Sequence, residues 1–128
     1  MKLKHLFIIN AIIALAYALG ELFIPRTLAS LYFVAETPTA EVLLSLRYFG
    51  VMLLAVGLIT AFAANTPLSD AKQAIVKALF ISNVVGLIVS LIGIFNGTFT
   101  ALGWSAVVIY VFLGAGFGYF WFIKPETA

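Results

Sequence analysis

The chain has no cysteine, one histidine and few charges: seven Lys and Arg and five Asp and Glu make up 9% of its 128 residues. Without cysteine there can be no disulfide, thiolate-bound metal, iron–sulfur cluster or thiol redox chemistry. His5 is the sole histidine, so a bis-histidine haem within one chain is excluded. A metal site at His5 would need further ligands, and none accompany it. The shortage of charge excludes more. Soluble domains carry about 25% charged and about 45–50% apolar residues, whereas 64% of this chain is hydrophobic. It lacks the polar surface of a soluble enzyme or a nucleic-acid binder, and it is far too apolar to be disordered.

What the chain has in quantity is long apolar runs. A transmembrane helix needs about 20 mostly apolar residues. Four stretches qualify: 6–24, 42–64, 74–95 and 101–123. A spanning segment must satisfy its own backbone hydrogen bonds, as a helix or as a strand of a closed barrel. These runs lack the period-2 alternation of barrel strands, so they are read as helices. The breaks between them agree. Pro25 follows the first, Asn65-Thr66-Pro67 the second, Asn96-Gly97-Thr98 the third, and Pro125 the fourth. Ser69-Asp70 has the character of an N-cap opening the third. Asn96-Gly97-Thr98 also matches a glycosylation sequon, but is read as a turn. The first run, with Lys2 and Lys4 before it and Ala16-Tyr17-Ala18 within it, has features of a signal peptide. Its apolar character continues through Leu22, Phe23 and Ile24, so a retained helix is expected.

The expected architecture is all-α: one domain, residues 1–128, forming an antiparallel four-helix transmembrane bundle. Within the 25–41 connection, Leu28, Leu31 and Tyr32 make one apolar face, so a short interfacial helix is expected over 26–34. Lys2, Lys4, Lys72, Lys77 and Lys124 all fall on one side of this topology. By the positive-inside rule both termini are expected in the cytoplasm of a bacterial cell, with the chain in the cytoplasmic membrane.

Membrane helices associate through small residues and polar contacts, because lipid tails are as apolar as leucine. Each run carries such a stripe. The first has Asn10, Ala14, Tyr17 and Glu21. The second has Arg47, Gly50, Leu54, Gly57 and Ala61. The third has Leu79, Asn83, Gly86, Ser90 and Gly93, and the fourth Gly103, Val107, Tyr110, Gly114, Phe117 and Trp121. Gly50, Gly57, Gly86, Gly93, Gly114 and Gly118 are the expected packing positions, the last two forming a GxxxG pair.

Two charges stand out inside the runs. Glu21 and Arg47 come out at similar depth, roughly 6–9 Å below one boundary, at 1.5 Å per residue. An isolated charge there costs about 2.5–3.5 kcal/mol, so an ion pair between them is expected, supported by Asn83, Tyr17 or Tyr48. Three readings stay open: a clamp between helices, the floor of a pocket for a polar headgroup, and an Arg47 that snorkels to the phosphates. Asn83 is expected to hydrogen-bond a neighbouring helix. Glu21, Arg47, Asn83, Tyr17 and Tyr110 are thus the buried polar positions of a possible ligand pocket, with no catalytic, metal or cofactor residue assigned.

Leu46-Arg47-Tyr48-Phe49-Gly50, Asn83, Asn96-Gly97 with Ala101-Leu102-Gly103-Trp104, and Gly116-Phe117-Gly118-Tyr119-Phe120 together give the chain a layout that resembles the small four-helix membrane proteins of the DoxX-like grouping. The resemblance implies a four-helix bundle with an arginine early in the second helix, and Arg47 and Asn83 in the interior. Some members are linked to quinone-coupled oxidation, yet the resemblance transfers no catalytic residue. The expected function is a non-catalytic membrane protein, either an accessory subunit or a binder of a lipid or lipophilic molecule. A small oligomeric transporter and an enzyme acting on lipid or quinone are the alternatives. The expected partners are membrane lipids and a larger membrane complex or further copies of the chain, not nucleic acid.

Overall fold

A computed structural model describes residues 1–125. It contains five α-helices: α1 (Leu3–Phe23), α2 (Pro25–Tyr32), α3 (Ala40–Ala63), α4 (Asp70–Phe95) and α5 (Gly103–Gly118). A π-helical turn, Tyr119–Ile123, continues α5. The helices α1, α3, α4 and α5 with its π turn are each long and apolar enough to cross a membrane. They are the four expected spans, and α2 is the short helix between the first two.

The helix ends show why the elements start and stop where they do. α1, α3 and α4 begin at residues 3, 40 and 70, rather than at 6, 42 and 74 where the apolar runs begin. Caps carry α3 and α4 outward into polar sequence. The Thr39 hydroxyl accepts from the Val42 amide at 3.3 Å, and the Ser69 hydroxyl from the Lys72 amide at 3.1 Å. Glu41 and Asp70 lie in the first turns, where the helix dipole favours an acid. α4 closes with a glycine turn: Gly97 takes φ +80°, the Thr98 amide reaches back to the Gly93 carbonyl at 2.9 Å, and the Gly97 amide to Ile94 at 3.2 Å. This double closure needs a left-handed residue, which glycine supplies without strain.

The spans pack as two tight pairs, α1 with α3 and α4 with α5. In the first pair Gly50 faces Ala18, Glu21 and Leu22, and a Cβ at Gly57 would stand 2.7 Å from the Leu15 side chain. In the second, a Cβ at Gly86 would stand 2.5 Å from the Tyr110 ring. Gly118 lies against Phe80 and Gly93 against Phe99 of the connecting loop, whereas a Cβ at Gly114 would meet only the Asn83 Cβ at an ordinary 3.5 Å. Glycine permits these backbone approaches, and close packing is what holds helices together in lipid. A polar contact reinforces the first pair: Asn10 donates to the Thr60 hydroxyl at 3.3 Å.

The two pairs join at both ends. At the end holding the start of α1, Leu3, Leu6, Phe7, Ala64, Val76, Leu79, Leu113, Phe117 and Phe120 form one apolar core drawn from all four spans. The Phe7 and Phe117 rings lie 5.9 Å apart there. At the opposite end α2 makes the link. After Tyr32 the chain turns extended, the Val34 amide donates to the Thr98 carbonyl at 3.0 Å, and the Thr100 amide to the Tyr32 carbonyl at 2.8 Å. Phe33 and Phe99 stack across this bridge at 5.6 Å. This pairing ends α2 at Tyr32 instead of the expected residue 34. The outer faces of α3 and α4 are lined by exposed apolar side chains, among them Met52, Ile59, Phe62, Val85, Ile88 and Val89, a surface suited to lipid.

Candidate functional site

One group of polar side chains lies in the half of the bundle nearest α2. Glu21 occupies the last turn of α1, facing Gly50 of α3. It is only 6% exposed, and its Oε2 has no hydrogen-bond partner among the described residues. One turn deeper, the Tyr17 hydroxyl shares a 2.6 Å hydrogen bond with the Tyr32 hydroxyl, which in turn bonds the Ser105 hydroxyl at 3.1 Å. This chain of three hydroxyls joins α1, α2 and α5. Tyr110, half-buried on α5 with its ring over Gly86, and Tyr17 both lie close enough to interact electrostatically with the Glu21 carboxyl. The site is therefore one carboxyl, three phenols and a serine hydroxyl, collected from α1, α2 and α5.

Arg47 is not part of it. The expected Glu21–Arg47 ion pair is not formed, and the Arg47 side chain is exposed on α3. The geometry explains why. Gly50 is level with Glu21, so Arg47 stands roughly 4.5 Å nearer the start of α3. It is also turned away: the face of α3 toward α1 is marked by Gly50, Gly57, Thr60 and Ala64, and Arg47 stands about 100° round from its centre at 3.6 residues per turn. Tyr48, a suggested supporting partner, is likewise exposed at 64%.

Asn83 is buried, but its amide donates to the Leu79 carbonyl at 2.6 Å, one turn back on the same helix. The expected bond to a neighbouring helix is instead local, the usual competition of a short polar side chain for its own backbone. The interhelical bond is made by Asn10 and Thr60. Among the described residues no group of three His, Asp or Glu side chains is placed to hold a metal ion.

Two members of this site, Tyr32 and Ser105, and one buried charge at the opposite end, Lys72, were not legible in the sequence. Tyr32 was visible only as part of the apolar face of α2, and Ser105 gave no signal at all. Lys72 had been counted as a loop charge. It is 5% exposed, and its Nζ donates to the carbonyls of Thr66 at 2.9 Å and Ala64 at 3.4 Å, over the Phe7 ring at 5.4 Å. It thus caps the end of α3, where a cation offsets the negative pole of the helix. The signal available was its position, eight residues after the last apolar turn of that helix.

No family model, curated protein or solved structure matches the chain.

Proposed function

We infer that this integral membrane protein binds a lipid or lipophilic molecule, with the polar end of the ligand at Glu21 and the tyrosines. The observation that carries the reading is the Glu21 carboxyl, nine-tenths buried with an oxygen that no described residue satisfies. A buried polar atom without a partner is costly, and an ionisable residue within a membrane span is a functional position by default. Tyr17, Tyr32 and Tyr110 add hydroxyls and aromatic faces that suit an amphiphile with a hydrogen-bond-donating or cationic end. A single carboxyl among phenols supports recognition better than acid–base chemistry, which calls for an acid and a base in complementary roles.

The expected setting is the bacterial cytoplasmic membrane with both termini inside. Lys2, Lys72, Lys77 and Lys124 cluster at one end of the bundle, at the start of α1, the start of α4 and the end of the π turn, and the positive-inside rule assigns that end to the cytoplasm. The layout shared with the DoxX-like grouping belongs to the same proposal. Cysteines placed at Asp70 and Thr98 then label from opposite faces of sealed cells, with residue 98 accessible from outside. Labelling of residue 70 from outside overturns the orientation.

One observation favours a second reading, a small oligomeric transporter: Glu21 is free of the arginine that would hold it as a fixed ion pair, which leaves it open to a proton or a cationic substrate. Mass spectrometry of molecules retained after mild detergent extraction distinguishes the outcomes. The binding reading predicts a retained lipid or lipophilic molecule that is lost in Glu21→Gln. Retention unchanged in Glu21→Gln contradicts it.

A further inference from the structure

We propose a second, separate binding site at the lysine-rich end of the bundle, for the phosphate headgroup of an anionic phospholipid. A cavity of about 290 Å³ lies there, lined by Met1, Lys2, Gly116, Tyr119, Phe120 and Lys124. Its walls come from the two ends of the chain's path: the start of α1 and the end of the π turn. α1 and α5 are in close contact at its base, where a Cβ on Gly116 would stand 2.9 Å from the Leu6 side chain.

The π turn explains why a lysine lines this cavity. In an uninterrupted α-helix the residues sharing a face with Gly116 are Tyr119, Phe120 and Ile123, three, four and seven positions on. The apolar Ile123 would then close the lining. The Lys124 amide instead reaches back five residues to the Tyr119 carbonyl at 2.9 Å. This wider turn holds one extra residue, which rotates everything after it by about 100° relative to an α-helix. Ile123 is thereby turned outward, 75% exposed, and Lys124 takes its place over Gly116. π turns are found where helices end, and here the turn decides which side chain completes the lining.

The chemistry of the lining selects the ligand. Lys2 and Lys124 supply two ammonium groups, and Tyr119 a hydroxyl, around an apolar floor of Phe120 and the Gly116–Leu6 contact. The cavity opens where membrane-spanning helices end, at headgroup level, and basic pockets between helices on the cytoplasmic side bind anionic headgroups. A lipid phosphate would sit between the lysines while its chains lie along the apolar surfaces of α1 and α5. Glu126, which follows Lys124 by two positions in sequence, is outside the described residues.

The test is native mass spectrometry on the purified full chain in neutral detergent at low salt, titrated with phosphatidylglycerol or phosphatidylcholine. Both ammonium groups attract an anionic headgroup, so Lys2→Gln with Lys124→Gln should weaken phosphatidylglycerol binding at least about tenfold. Phosphatidylcholine binding should not change. The charge-matched pair Lys4→Gln with Lys77→Gln should stay within about twofold of the parent, since neither residue lines the cavity. Inorganic phosphate at the lipid concentration should not displace phosphatidylglycerol. Equal losses in the two double variants would reduce the effect to net charge and overturn the site. Displacement by inorganic phosphate would overturn the assignment to lipid.

Discussion

The two ends of this bundle are built on different terms. At the lysine-rich end, side chains from all four spans close into one apolar core, and the buried charge, Lys72, is satisfied by the carbonyls of Ala64 and Thr66, just past the end of α3. At the α2 end the spans are joined by hydroxyls and by backbone bonds of a connecting segment, and the buried charge-bearing group, Glu21, has an oxygen left without a partner. One end uses a buried ionisable residue to hold helices in place. The other keeps one in reserve. The difference separates packing, which sets stability, from an unsatisfied group, which in the proposed function receives the ligand.

The comparison breaks most readily at the packed positions. Phe117, fully buried between α1 and α5, anchors the apolar end; Phe117→Ala should cost roughly 3 kcal/mol, the low end of values for such deletions, because lipid removes part of the hydrophobic term but none of the lost packing. Thermal unfolding in detergent should register it as the largest loss in the set. Overpacking at the helix pairs comes next. Gly57→Leu and Gly86→Leu should each cost about 2–3 kcal/mol by driving side chains into Leu15 and the Tyr110 ring. Gly114→Ala sharpens this point: its Cβ would meet only the Asn83 Cβ at 3.5 Å, so it should leave the melting temperature within a degree or two or raise it slightly. Lys72→Met should cost about 2 kcal/mol through the lost charged hydrogen bonds to the end of α3. The smallest effect belongs to the α2 end, where Tyr32→Phe removes its bonds to Tyr17 and Ser105 for about 1 kcal/mol. Faster hydrogen exchange confined to α2 would locate that loss.

The spans were legible because their information is local: about 20 apolar residues, ended by proline, glycine or a capping residue, define a helix without reference to its neighbours. The same holds for the turn at Asn96-Gly97 and for the short helix after Pro25. The candidate site was legible in its members more than in its contacts. Glu21 and Tyr17 share the inner face of α1 by simple periodicity. The pairing of Glu21 with Arg47 failed because it rested on depth alone, counted from approximate boundaries. Rotation decides whether two helices present side chains to each other, and at Arg47 the apolar pattern of α3 is nearly uniform around the helix. Tyr32, Ser105 and Lys72 act through contacts 6 to 73 residues distant in sequence, which no periodicity encodes.

The separation between the two ends meets its sharpest check at Glu21→Gln, compared with the parent by thermal unfolding in detergent alongside ligand retention. Because Oε2 has no partner to lose, the variant should melt at the parental temperature or above it, while the retained lipophilic molecule disappears. A drop in melting temperature as large as that of Lys72→Met, with retention unchanged, would show that Glu21 holds the helices together as Lys72 does, and the division of labour between the two ends would be wrong.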